Sequence, residues 1–383
     1  MRILYAALRH DPKNPDLSSG TDYNFYSSFL GEGAEVKIVG PFSDSGTLIE
    51  RAFKRTYISM TGKRYLKWNL QITRQSSMAL NAAEASWKPD LVFSIFPPPL
   101  AFYSGKAPCV FWTDTTLQGW QEGGAGFGRV PLNFMVWEEK QAVRKSACII
   151  TSSDWCKGEL VRRHGIDGKK VFVHPMPSAL PANVVSKVQE EIPKSLESPI
   201  RLLLVGRDYV RKGIPIAIDV ARKLIQRNVD VELTICGVTG KSEHPIRFVG
   251  SFRKSVSEEL ESYVGLYRRA HLLIHPALFE PAGIVPAEAA SFGVPTLTNN
   301  VGGLATSVKD GVSGIVLPKH SPAEAYVEAI IALLRNPEDY VRLSLGARRR
   351  FLEEQNWDTA GKNIMSVLRQ AIEENPRGRS RQA

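Results

Sequence analysis

The chain has 383 residues, 49 Lys and Arg against 39 Asp and Glu, a net charge of +10, and a hydrophobic share of 43%. That length suits two domains, and the apolar share is that of a globular protein. No apolar run approaches the ~18–20 residues that a bilayer-spanning helix requires, and the opening MRILYAALRHD is broken by charge too early for a signal peptide. The basic balance admits a polyanionic partner, whether nucleotide phosphates, an anionic membrane or nucleic acid, and equally a solvated basic surface. Cys109, Cys148, Cys156 and Cys236 form no CxxC or metal-type spacing. Three of them lie in apolar runs and read as buried free thiols, which implies a reducing, cytoplasmic compartment.

In chain order, short apolar runs alternate with helical patterns. The first series is RILYAAL from Arg2, EVKIVG from Glu35, DLVFSIF from Asp90, APCVFWTD from Ala107, ACIITSS from Ala147 and KVFVHP from Lys170. They are mostly apolar rather than strictly alternating, as buried parallel strands are. TDYNFYSSFLGEG from Thr21 reads as one of the helices between them. Met176 to Pro199 breaks the rhythm with prolines and charge and reads as a connection.

A second series follows: PIRLLLVG from Pro199, then GIPIAIDVARKLIQRN, a helix with Ile216, Val220 and Leu224 on one face, then DVELTICG, PIRFVG, HLLIHPA and VPTLTNN. The expected fold is α/β with two Rossmann-like, doubly wound parallel-sheet domains facing a cleft. The expected boundaries are 1–177, a linker over 178–198, and 199–360. Residues 361–383 form a C-terminal helix and basic tail that can pack back on the first domain.

The chemistry concentrates in the second series. VGRDYVRKG, Val205 to Gly213, turns at Gly206 and carries Arg207, Arg211 and Lys212 just before a helix. Cations beside free helix N–H groups at the end of a parallel strand suit a phosphate, although an ordinary basic loop has the same composition. Phe279 to Gly303, FEPAGIVPAEAASFGVPTLTNNVGG, holds Glu280 and Glu288 among small apolar residues. An unpaired carboxylate is costly to bury, so a plain core segment would not carry them. Pro286 is expected to start a helix that Gly293 ends, with Glu280 in the loop before it and Glu288 in its first turns. Gly283, Ile284 and Val285 offer N–H groups to an anion, and a carboxylate is a bidentate acceptor for sugar hydroxyls. The alternative is that both are solvated helix-end glutamates.

E-x7-E from Glu280 to Glu288, R-x4-K from Arg207 to Lys212, and the Gly302-Gly303 pair together resemble the retaining glycosyltransferases of family 4. The likeness covers nearly the whole chain and is strongest from Leu202 to Leu317. It implies a GT-B fold and a retaining, metal-independent hexosyltransferase that uses a nucleotide-diphosphate sugar, UDP- or GDP-linked, with no cofactor. No D-x-D pair stands in the sequence. The resemblance implies that Glu288 binds the ribose hydroxyls. It implies that Glu280 lies at the donor sugar and steadies positive charge at the anomeric carbon. Ala282, Gly283, Ile284 and Val285 would contact sugar and phosphate through the main chain, while Arg207 and Lys212 neutralise the departing diphosphate. The leaving phosphate helps to deprotonate the acceptor on the same face. Gly20, in Ser18-Ser19-Gly20, stands where the family has a Gly-rich loop near the donor phosphate, with only one glycine here. Asp114 stands where many members carry His; it either bonds a donor hydroxyl, orients the acceptor or simply caps a helix. Main-chain contacts near Val249 and Gly250 would select the base. EPAG replaces the family's frequent EGFG and is also similar to the EPCG of starch and glycogen synthases.

Arg51 to Ala83 carries Arg51, Lys54, Arg55, Lys63, Arg64, Lys67 and Arg74, no acid, and interleaved Phe53, Tyr57, Tyr65, Trp68 and Ile72. Tyr65, Trp68 and Ile72 would share one helical face. Basic residues with interfacial aromatics suit an anionic membrane, so a cytoplasmic protein peripheral at the inner membrane face is one expectation, and a basic helix packed on the domain core is the other. The acceptor is a glycan, a lipid-linked sugar or a small molecule. No nucleic-acid-binding module is recognisable, and Arg377, Arg379 and Arg381 read as a basic tail. The competing readings are a sugar-nucleotide epimerase of the same fold, a non-catalytic scaffold that binds a sugar nucleotide or an anionic surface, and a phosphorylase-like enzyme, for which no pyridoxal phosphate lysine stands out.

Overall fold

A computed structural model describes residues 1–42, 48–65, 70–186 and 196–374. The chain divides into two compact units: Met1–His174 together with the segment from Gly361, and Pro175–Ala360.

In unit 1, strands β1 (Arg2–Ala6), β2 (Glu35–Val39), β3 (Leu91–Ser94), β4 (Cys109–Thr113), β5 (Ser146–Thr151) and β6 (Val171–Val173) form one parallel sheet in the order β2-β1-β3-β4-β5-β6. Every residue of β3 and β4 is buried. Helices cover both faces of such a sheet, which is why these strands read as unbroken apolar runs rather than as alternation. The N-terminal helix Thr21–Gly31 buries Phe25 and Phe29 against Phe93.

Unit 2 repeats the plan with β7 (Ile200–Val205), β8 (Val231–Cys236), β9 (Ile246–Gly250), β10 (Leu272–His275), β11 (Thr296–Asn299) and β12 (Gly314–Leu317), again all parallel, in the order β12-β11-β10-β7-β8-β9. β12 was not expected from the sequence. It is the four-residue run GIVL, too short to show a period, and its pairing with β11 defines it. The helix Ile214–Gln226 buries Ile214, Ala217, Val220, Ala221 and Leu224 on this sheet, with Pro215 in its first turn and Ile216 only half-buried at the margin of the face.

Two local expectations are corrected. The helix over the E-x7-E stretch runs Ile284–Ala290, so it starts two residues before Pro286. Proline is tolerated there because first-turn N–H groups have no intrahelical partner. Gly293 does close the helix: its N–H and that of Val294 return to the carbonyls of Ala290 and Ala289, both at 3.0 Å. Of the three residues expected on one helical face, Tyr65 and Ile72 are described, and they pack in different places. The helix Leu48–Thr61 stops before Gly62, and a second helix runs Leu70–Trp87. Tyr65 packs on Phe53 and Tyr57 at 5.6 and 5.1 Å between ring centres, while Ile72 is buried in the unit 1 core. Lys67, Trp68 and the tail arginines lie outside the described residues.

All four cysteines are buried free thiols. Burial pushes the Cys148 and Cys236 thiols up to about 12, so they behave as small apolar side chains.

Candidate functional site

The strand order of unit 2 fixes where a ligand can enter. The chain leaves β7 towards β8 and β9 on one side, then crosses to β10 on the other. The loops after β7 and β10 diverge at such a reversal, and their carboxyl ends border a crevice. Those loops are Gly206–Gly213 and residues 276–283.

They meet at Glu280. Lys212, itself 8% exposed, reaches from the end of the first loop to Glu280 Oε2. Arg211 Nη1 donates to the Phe279 carbonyl at 3.1 Å and lies 3.4 Å from the same carboxylate oxygen. Burial alone would push the Glu280 carboxyl up; the Lys212 ammonium outweighs it and holds the group well below the ordinary carboxylate range. The carboxylate is therefore ionised at neutral pH. His275, the last residue of β10, is fully buried with Nε2 3.6 Å from Glu280 Oε2. Burial lowers its pKa, so the ring is neutral. The glycine pair closes over the same residue: Gly303 donates to the Glu280 carbonyl at 2.9 Å, and a Cβ on Gly302 would stand 2.3 Å from that oxygen. Only glycine fits there, in a left-handed conformation at φ 54°.

Gly283 caps the helix Ile284–Ala290 in a left-handed conformation, and Ser307 Oγ donates to its carbonyl at 2.8 Å. The next two residues, Ile284 and Val285, present first-turn N–H groups with no intrahelical acceptor. Ala282 is buried beside them. Arg207 is exposed at the start of the β7 loop, and the structure brings Lys212 rather than Arg207 onto Glu280.

Glu288 lies one helical turn further on, 1% exposed. Its Oε2 accepts from the hydroxyls of Tyr263 at 2.6 Å and Tyr267 at 2.7 Å, and its Oε1 from Lys254. Burial, reinforced by the Glu288 charge, pushes both phenols up, which keeps them as donors. Lys254 stands four residues beyond Gly250, so it ties the end of β9, with half-buried Val249 and Gly250, to Glu288.

In unit 1, Gly20 is the left-handed cap of the helix Thr21–Gly31, in the loop after β1. Asp114 follows β4 directly and is half-buried. Thr116 caps the next helix, accepting from Gly119 N–H at 3.0 Å, so Asp114 is not a helix cap.

Sequence reasoning missed His275, Lys254, Tyr263 and Tyr267. His275 was visible as an ionisable residue at the end of an apolar strand. The tyrosines, four apart on one helix, are indistinguishable from core packing until the chain folds. Among the described residues no group of three or more His, Cys, Asp or Glu could hold a metal, and no helix is long and apolar enough to cross a membrane.

Residues 187–350 match the family described as glycosyl transferases group 1. The chain is similar to a D-inositol 3-phosphate glycosyltransferase of Xylanimonas cellulosilytica, 27% identical over 262 residues, which is 62% of this chain; it spans 60% of that relative's length. In fold it is similar to the sucrose-phosphate synthase of Thermosynechococcus elongatus, with a TM-score of 0.67 at 17% identity over 97% of this chain and 99% of that one. It is also similar to the Anabaena protein HepE solved with UDP-glucose, with a TM-score of 0.62 at 16% identity over 97% and 100%. The fold of the chain is GT-B.

Proposed function

From a chain that carries a glycosyl transferases group 1 domain on a GT-B fold, we propose a retaining, metal-independent glycosyltransferase of the family 4 type. It takes a hexose from a nucleotide-diphosphate donor and passes it to a glycan, lipid-linked or small-molecule acceptor. The observation that carries this reading is the ionised Glu280 held by Lys212 at the reversal of the unit 2 sheet, with the open N–H groups of Ile284 and Val285 in the same loop region.

Each group then has a task. Lys212 and Arg207 take up the charge that grows on the diphosphate as the sugar bond breaks, aided by the main chain at Gly283, Ile284 and Val285. Glu280 faces the donor sugar, where its full negative charge stabilises positive charge developing at the anomeric carbon. Glu288 receives the ribose, with its ring of donors setting the carboxylate's angle, and Val249 and Gly250 border the base. Gly20 and Asp114 keep the roles the resemblance gives them, at the phosphate and at a donor hydroxyl or the acceptor. The buried free thiols favour a reducing, cytoplasmic setting.

A peripheral membrane association is also part of the proposal. The helix Leu48–Thr61 leaves Leu48, Ile49, Phe53 and Met60 more than half exposed beside the exposed basic residues Arg51, Lys54 and Arg55. An amphipathic basic surface of this kind suits anionic lipid.

Calorimetric titration with UDP, GDP and ADP and their sugar conjugates tests the donor assignment. One nucleotide should bind at micromolar concentration, with Glu288→Ala weakening it. Lys212→Ala should lower turnover at saturating donor at least tenfold, about 1.4 kcal/mol of barrier. No nucleotide binding by the wild type would sink the reading.

A further inference from the structure

His275 has no task in the scheme above, yet it sits against the group at its centre. It is fully buried, and neither ring nitrogen has a hydrogen-bond partner among the described residues. Buried polar atoms are almost always paired, so an unpaired ring at 3.6 Å from a carboxylate calls for a reason. The main chain around it is fixed: β10 pairs with β11 at His275 and Thr298, and Thr298 Oγ1 donates to the His275 carbonyl at 2.8 Å. The imidazole is thus held near Glu280 without bonding it, while Lys212 occupies the carboxylate.

Lys212 is the partner that the donor would engage. Its stem is unbranched, and the phosphate it is read to neutralise must draw the ammonium away from, or share it with, Glu280. Drawing it off leaves Glu280 with the longer, 3.4 Å contact from Arg211, and a buried carboxylate that loses its nearest cation is destabilised. We propose that His275 is a positioning residue that replaces Lys212 at Glu280 when the nucleotide diphosphate engages the lysine, its ring taking up a proton from solvent as it closes on the carboxylate. The proton added to the imidazole balances the ammonium charge withdrawn, so Glu280 stays ionised and oriented through the reaction. The inference rests on the reading of Lys212 as a diphosphate ligand.

The groups facing the ring set the sign. In the free protein, burial disfavours the imidazolium most, Lys212 and Arg211 add repulsion, and Glu280 alone favours it. Moving the Lys212 charge towards phosphate removes one repulsion and strengthens the pull of Glu280, so the pKa of His275 rises on binding. A rise means proton uptake, and linkage then makes binding weaken as pH increases.

The test is calorimetric titration of the full chain with UDP, GDP and ADP in phosphate and in Tris at pH 7, on wild type, His275→Gln and Glu280→Gln. The buffer dependence of the binding enthalpy gives the protons exchanged, and the nucleotide's own ionisation cancels in the difference between proteins. The expected result is a net uptake in wild type relative to both variants, with wild-type affinity falling between pH 6 and 8 more steeply than that of His275→Gln. Nucleotide binding with the same proton count and pH slope in wild type and His275→Gln overturns the proposal and leaves the donor reading standing. Failure of every nucleotide to bind the wild type removes both. Should His275→Gln not fold, Glu280→Gln still reads the uptake, because without the carboxylate charge the ring has no reason to protonate.

Discussion

Glu280 shows how much one residue's state depends on its neighbours. A carboxylate that is 12% exposed by its side chain would ordinarily be pushed towards its neutral form, but Lys212 reverses the direction. This has a thermodynamic signature. The folded-state pKa lies below the unfolded value of about 4.3. The ionised group therefore contributes stability that is fully present above that value and is lost as pH falls towards the depressed one. Wild type should be more stable than Glu280→Gln at pH 7, and the gap should narrow on acidification to pH 3. Urea unfolding at several pH values measures it, and a constant gap would mean that the carboxylate is not held in its charged form. Glu288 is the contrasting case. Its charge is satisfied by two phenols and one lysine, and of these only Lys254, with a side chain 29% exposed, has room to move. Glu280 and Glu288 were legible in the sequence because charge stands out in apolar surroundings, and Lys212 because it closes R-x4-K with Arg207 before a helix. Lys254 and the tyrosines were not, because their importance comes from a distance of 21 to 34 residues closed by the fold.

At the level of elements, the buried strands were the most readable feature. Eleven apolar runs became strands because a parallel sheet with both faces covered demands them, and only the four-residue β12 escaped notice. The helix boundaries were less readable. The start at Ile284 depends on a left-handed Gly283 locked by Ser307, a residue 24 positions away. Within Arg51 to Ala83, Tyr65 and Ile72 were expected on one helical face, but Tyr65 packs on the helix Leu48–Thr61 and Ile72 in the core, while that first helix keeps its basic and apolar exposure. For this helix, vesicles containing anionic phosphatidylglycerol should sediment the protein, and Lys54→Glu with Arg55→Glu should weaken the association by roughly 1 kcal/mol for each charge removed, with a strong dependence on salt. Binding to neutral vesicles alone, or no loss in the double variant, would assign the exposed apolar residues to another partner.

At the level of the whole molecule, the donor groups of the proposal belong to unit 2 except for Gly20 and Asp114. A nucleotide at about a hundredfold its dissociation constant should stabilise the state it binds by ~2.7 kcal/mol. Hydrogen exchange should report this as slowed exchange over residues 206–213 and 276–290, while the unit 1 strands β5 and β6 change little. Equal slowing throughout would show that the nucleotide grips both units together. The chain order carries one further consequence. Unit 1 is written in two pieces, because the helix Trp357–Glu373 passes at Gly361 from the second unit back to the first, where Gly361 lies against Ser28. On the ribosome, the whole of unit 2 emerges before the last piece of unit 1 exists. The unit 1 sheet must wait, with the flank of the helix Thr21–Gly31 at Ser28 uncovered, until unit 2 has been synthesised. A helix made after unit 2 is thus the clasp on the unit made before it.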